Sequence, residues 1–317
     1  MSSDDAHTPV TVRRRAGMPA STLATIVLLG ATLIWGSTFV LVDRVVEDVP
    51  VHTFLALRFS IATLALILLR PRSLVGLRAQ TLWRGVILGV ALGIGYATQT
   101  AGLALGTLPT VSGFITGMFV VLTPLLAAWW FSARIGWASA AAVATAGSGL
   151  ALLTLVNGRI GGGEGVTAVC ALAFAVQIVL LGQWATSENT LALVVIQLAT
   201  VTVTECALAV LVERPLALPT SAFSWGGIVF LALAATVYGF LAQTWAQAHM
   251  TATRAAVILT AEPMFAAITG ILTGDRLLPR QILGALLVLT AMYLVELSPR
   301  ARGGRENAEA RLPHLEP

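Results

Sequence analysis

Lysine is missing from this chain; all 19 basic residues are arginines, a composition bias without mechanistic content. Charge of either sign is scarce, at 11% of 317 residues, where soluble domains carry about 25%. That scarcity excludes a soluble enzyme, a disordered chain and, despite a net charge of +4, a nucleic-acid module. Cysteine occurs twice, as Cys170 and Cys206, each inside an apolar run. Both therefore read as free thiols, and a disulfide scaffold or redox pair is excluded. No GxxxxGK[ST] loop is present to cradle ATP phosphates. His7, His52, His249 and His314 are scattered in tails or at the ends of apolar runs, so neither a metal site nor a cofactor is expected. No carbonyl-lined filter motif of an ion channel is found.

What is abundant is apolar surface: 57% of residues are hydrophobic and the mean hydropathy is +0.86. Gly85 to Ala133 and Pro215 to Thr253 contain no Asp, Glu, Lys or Arg. The solvent for such a chain is lipid. A bilayer core takes about 20 apolar residues per helix, since no backbone amide can stay unpaired in hydrocarbon. The sequence predicts ten spans, at 22–42, 52–70, 85–104, 109–131, 137–156, 165–184, 190–212, 224–246, 252–273 and 279–297. Breakers such as Glu47-Asp48-Val49-Pro50, Gly106-Thr107-Leu108-Pro109 and Gly161-Gly162-Gly163 separate them, and the short connections predict antiparallel neighbours. The first apolar run exceeds twenty residues and no small-residue cleavage site follows it, so it reads as a retained helix rather than a signal peptide.

With the termini inside, thirteen arginines flank cytoplasmic segments and five, Arg44, Arg159, Arg214, Arg276 and Arg280, flank the other side. The bias predicts two cytoplasmic tails, 1–21 and 298–317, on a multi-pass protein of the cytoplasmic membrane. Sliding the chain on itself by 139 residues sets Trp35 on Phe174, Thr38 on Gln177, Arg58 on Gln197 and Thr123-Pro124 on Glu262-Pro263. Two repeats of five spans follow, 22–156 and 165–297. An odd number of spans makes the second repeat enter the membrane inverted, an architecture that suits alternating access. The fold expectation is an all-α integral membrane protein of ten transmembrane helices in two inverted five-helix repeats.

The stretch Leu33-Ile34-Trp35-Gly36-Ser37-Thr38-Phe39 with Phe54-Leu55-Ala56-Leu57-Arg58-Phe59 resembles the opening of EamA-type members of the drug/metabolite transporter superfamily. Gln243-Thr244-Trp245-Ala246-Gln247, Thr253-Arg254-Ala255-Ala256, Glu262-Pro263 and Gly274-Asp275-Arg276-Leu277 continue the likeness, which covers about 20–297. In the first repeat Ala133-Arg134 lacks the acid that Asp275 supplies in the second. The resemblance implies transport of a small metabolite through a central cavity lined by helices 1, 3, 6 and 8.

Polar groups inside spans are costly and need a reason. Glu262 is deep in its span beside a proline that loosens the helix; it reads either as a substrate-binding and proton-coupling carboxyl or as a hydrogen-bonded joint between helices. Arg58 and Glu205 read as structural charges, Arg58 pairing with Asp43, Glu47 or Asp48, the alternative being a bidentate grip on a substrate anion. Thr38, Gln99, Gln177, Gln243 and Gln247, on the helices that the resemblance makes cavity walls, are candidate substrate contacts or interhelical glue. Tyr96 with Gln99, and Tyr238 with Gln243, form two Tyr-plus-Gln sets on counterpart helices, and Trp35 is a candidate wall or gate. The expected function is a secondary transporter, an exporter of an amino acid or similar small, partly apolar solute. The alternative is a polytopic enzyme acting on a lipid-linked substrate, for which Asp43, Glu47 and Asp48 are the one acidic cluster. The expected partners are the solute and membrane lipid, with no nucleic acid; small-residue faces would allow a homodimer.

Overall fold

A computed structural model describes residues 20–71, 76–130, 137–156, 159–214, 217–250 and 252–297. Apart from Ala20 and Ser21, the two predicted tails lie outside the described residues. Ten helical spans are present: α1 (Ala20–Val46), α2 (Val51–Leu69), α3 (Ala79–Ala104), α4 (Pro109–Trp130), α5 (Trp137–Thr154), α6 (Gly162–Trp184), α7 (Thr190–Val212), α8 (Ala222–Gln247), α9 (Ala252–Leu259 continued by Ala261–Thr273) and α10 (Pro279–Leu297). A hairpin of two-residue strands, β1 (Leu155–Val156) and β2 (Arg159–Ile160), joins α5 to α6 with Leu155 opposite Ile160. Leu69, Val203, Leu211 and Leu272 stand exposed on the outer faces, as lipid contact requires.

Chain neighbours pack less against one another than the short connections predict. The most extensive helix contacts all join the two halves: α3 with α6 and α7, α2 with α7 and α8, α1 with α8 and α9, α4 with α6 and α9, and α5 with α10. This set maps onto itself when each helix is exchanged for the one five places away. Contact α3·α6 becomes α8·α1, α3·α7 becomes α8·α2, and α4·α6 becomes α9·α1. Contacts α2·α7, α4·α9 and α5·α10 become themselves. That is the signature of a pseudo-twofold axis, and with five spans per repeat the halves run inverted through the membrane. One hydrogen bond marks the axis: Thr63 Oγ1 and Thr202 Oγ1 are 3.2 Å apart and 139 residues apart in sequence, so each meets its own repeat counterpart.

A single repeat distance of 139 does not hold throughout. Helices α2 and α7 begin 139 residues apart, at Val51 and Thr190, but α7 has 23 residues against 19 in α2, about one extra turn. Beyond it, α3 and α8 begin 143 residues apart, at Ala79 and Ala222, and α4 and α9 likewise, at Pro109 and Ala252. By helix ends Glu262 therefore corresponds to Phe119, and not to Thr123.

Local irregularities position the site. Both fourth helices of the repeats are interrupted, α4 at Met118 and α9 at Thr260. Each interruption is a tight turn, with Met118 N donating to Ile115 O and Thr260 N to Val257 O, both at 3.1 Å. Pro263 follows as the third residue of the second α9 segment, where a missing N–H is tolerated. Within α8, residues Leu231–Tyr238 form a π-helical stretch.

At the end of the bundle opposite the chain termini, carboxylates cap helix N-termini, which offer free N–H groups and the positive dipole end. Glu213 accepts from His52 N at 2.7 Å and Thr53 N at 2.8 Å at the start of α2. Asp275 accepts from Thr110 N at 2.9 Å in α4. Asp48 accepts from the Ser224 and Thr220 hydroxyls, both at 2.6 Å, beside the start of α8. Those hydrogen bonds, with Ser224 first, hold the Asp48 carboxyl down to about 2.

Candidate functional site

Between the halves lies a cavity with about 590 Å³ of empty space, its opening included. Helices α1, α2, α3, α4, α6, α8 and α9 all contribute to its wall. Of the residues singled out from sequence, it gathers Trp35, Thr38, Tyr96, Gln99, Gln177, Gln243 and Glu262, and Arg58 joins them. It also gathers Phe39, Phe119, Phe174 and Phe240, which sequence reasoning had not put forward as site residues.

The aromatic wall follows the pseudo-symmetry. Tyr96 stacks edge-on with Phe174 at 5.4 Å between ring centroids, and Phe240 is tilted against Trp35 at 5.5 Å. Tyr96 and Phe240 meet at 6.0 Å in the middle. Read in order, Trp35, Phe240, Tyr96 and Phe174 form a row in which Trp35 corresponds to Phe174 and Phe240 to Tyr96. Glycine makes room at both ends: a Cβ on Gly95 would collide with the Phe174 ring, and one on Gly239 would lie 2.5 Å from Trp35 Nε1. Gly95 and Gly239 are 144 residues apart, one more than the helix starts, because the π-helical stretch takes up an extra residue.

That stretch explains three placements. Trp35 Nε1 donates to Ala235 O at 2.6 Å, and Arg58 Nε donates to Thr236 Oγ1 at 2.8 Å. Tyr238, expected beside Gln243, is turned away from the cavity: its ring is exposed and its hydroxyl donates to Val27 O at 3.2 Å. No glycine, proline or charge in Leu231–Tyr238 announces the π geometry.

Arg58 corrects the expectation made for it. It is buried and carries no carboxylate partner among the described residues; Asp48 is occupied at the start of α8. Its guanidinium carbon lies 4.7 Å from the Tyr96 ring centroid, a cation–π contact that leaves the group facing the cavity. Glu262 is 7% exposed, faces the same cavity, and its carboxylate forms no hydrogen bond or ion pair among the described residues. A basic and an acidic side chain thus share one cavity with no ion pair between them.

The amides form a chain beside them. Gln243 Nε2 donates to Gln177 Oε1, and Gln177 Nε2 donates to Gln197 Oε1, each at 3.3 Å. Gln243 Oε1 is left without a partner among the described residues. Gln99 Nε2 donates to Thr116 Oγ1 at 3.2 Å, and Thr38 Oγ1 to its own helix at Trp35 O. Gln247 is buried but outside the cavity lining, with Nε2 donating to Ile178 O at 3.0 Å. Glu205 also lies elsewhere, 2.8 Å from His52 Nδ1 between α7 and α2, a long-range pair with no local signal in the sequence.

The EamA-like transporter family profile matches residues 22–155 and 162–297. A protein of Archaeoglobus fulgidus (strain ATCC 49558 / DSM 4304 / JCM 9628 / NBRC 100126 / VC-16), named an uncharacterized transporter, is 29% identical over 266 residues, 84% of this chain and 83% of that protein. A solved crystal structure aligns with a TM-score of 0.64 at 20% identity, over 87% of this chain and 96% of the other, which shows a shared fold.

Proposed function

Since the chain belongs to the EamA-like transporter family of the drug/metabolite transporter superfamily, we propose that it exports a small zwitterionic metabolite, an amino acid or a similar partly apolar solute, by alternating access. The observation that carries this reading is a buried arginine and a buried glutamate, unpaired with each other, in one aromatic cavity. Arg58 offers donors to a carboxylate, Glu262 an acceptor to an ammonium group, and the rings of the wall an apolar face for the rest of the solute. The arginine bias supports termini on the cytoplasmic side of the cytoplasmic membrane. Interleaved inverted repeats offer the second conformation that alternating access needs. Glu262, meeting no partner among the described residues, is the group that exchanges a proton for the solute's cation. The enzyme reading rests on Asp43, Glu47 and Asp48, and the Asp48 carboxylate is taken up by the hydroxyls of Thr220 and Ser224.

Purified protein in liposomes tests this with labelled neutral amino acids. Flux should saturate, and Arg58→Gln should weaken the apparent affinity by about 10- to 100-fold, the loss of one charged hydrogen bond. An amine analogue lacking the carboxylate should be indifferent to that substitution. Equal losses for both solutes would overturn the role given to Arg58, and pH-dependent flux in Glu262→Gln would overturn proton exchange at Glu262.

A further inference from the structure

A second concavity lies on the lipid-facing surface where α2, α3 and α7 meet. Its walls are apolar: Ile67, Leu82, Val86, Val195 and Val203 line it together with Leu77 from the α2–α3 connection. Arg70 stands three residues beyond Ile67 as the last, capping residue of α2, and Arg78 follows Leu77 directly as the N-cap of α3. Both arginines are exposed, and neither side chain meets a partner among the described residues.

The other repeat supplies a comparison within the same molecule. The cap positions equivalent to Arg70 and Arg78 are Glu213 at the end of α7 and Ser221 at the start of α8. Both are engaged internally, Glu213 with the start of α2 and Ser221 with Ser224 N at 3.0 Å. Leu82 corresponds, 143 residues on, to Trp225, whose indole donates to Pro219 O at 3.1 Å. One end of the bundle therefore has an aliphatic groove flanked in sequence by two arginines that are unengaged among the described residues. The pseudo-equivalent place has a tryptophan and an engaged acid.

We infer that this groove binds an anionic phospholipid from the leaflet on the side of the chain termini, an acyl chain lying along α2, α3 and α7 and the headgroup phosphate meeting Arg70 and Arg78. Basic rims above apolar clefts between membrane helices recognise acidic headgroups, and the charge complementarity selects lipid over a second copy of the same basic surface. The site is independent of the central cavity and of any transported solute.

Native mass spectrometry of the detergent-purified chain, titrated with phosphatidylglycerol and with phosphatidylcholine of identical acyl chains, tests the inference. Phosphatidylglycerol should bind more tightly by about thirtyfold, two arginines at the strength each contributes beside an anionic headgroup. R70Q/R78Q should bring the two lipids to equal affinity. L82W, which installs the residue of the other repeat, should weaken both lipids while the unfolding temperature stays at the wild-type value. Equal binding of the two lipids to wild type, a preference that survives R70Q/R78Q, or a dimer disrupted by L82W would each overturn the assignment.

Discussion

Gly36 on α1 faces the interrupted stretch of α9, and its replacement by alanine is a direct test of how closely the cavity walls are fitted. A Cβ at this position would press on the carbonyl oxygen of Glu262 and lie 2.6 Å from Phe265 Cβ and 3.1 Å from Ala266 N. Ordinary contacts begin near 3.4 Å, and two of the three obstacles are backbone, so α1 and α9 must part by close to 1 Å. Overpacking of that kind costs about 1–3 kcal/mol, a sizeable part of a total stability of about 5–15 kcal/mol. Gly226 is the control: a Cβ there meets nothing within 4 Å, and both substitutions gain the same helix propensity. Thermal unfolding in detergent should therefore place Gly36→Ala below Gly226→Ala by roughly 1.5–5 °C. In liposomes Gly36→Ala should also weaken solute affinity, because Trp35 and Thr38 on one side and Glu262 on the other move apart. Identical unfolding temperatures for the two variants would refute the proposed close contact of α1 with α9.

Asp48 supplies a pH signature. Its folded-state carboxyl is held at about 2, below its ordinary value of 3.8, so its stabilisation is complete above 3.8 and is lost as pH falls towards 2. Wild type should therefore lose unfolding temperature more steeply than Asp48→Asn across that window, and parallel curves would contradict the capping role. Trp35→Phe keeps the ring contact with Phe240 but removes the donor to Ala235 O, and should cost about 1 kcal/mol in unfolding free energy; an unchanged value would mean that hydrogen bond is not formed. The Thr63→Cys/Thr202→Cys double variant should cross-link on mild oxidation without chain dimerisation, seen as a mobility shift on reducing against non-reducing gels; no cross-link would displace the pseudo-twofold axis from α2 and α7.

The ten spans are legible in the sequence because lipid imposes one rule on every segment, and most helix ends fall within a few residues of the predicted ones. The two-repeat pattern is legible for the same reason, through matched helix lengths and the similarity of α1 and α2 to α6 and α7. Side-chain direction is not, because it depends on single-residue shifts. The extra turn of α7 moves the repeat distance from 139 to 143, and the π-helical residues of α8 add one more. One residue is about 100° around a helix, enough to turn Tyr238 to the outside and bring Phe240 in. Arg58 illustrates a different difficulty. Counting residues from the span's start puts it near an acidic loop, whereas its direction is set by Thr236 and Tyr96, which are distant in sequence. Glu262 needed no such geometry to be singled out, since a carboxyl that deep in a span is exceptional in itself.

The two ionisable cavity residues have no repeat counterparts of like kind. Arg58 corresponds to Gln197, which hydrogen-bonds Gln177 instead, and Glu262 corresponds by helix ends to Phe119 in the opposite wall. Two identical five-helix chains assembled about a true axis would place every side chain in the shared chamber twice, so a guanidinium there would always come with its own copy. Joining the halves in one polypeptide frees each position from its duplicate. A chamber built on near-symmetry can then present a basic group and an acidic group to a molecule that has no symmetry of its own, while the pseudo-symmetric scaffold remains intact.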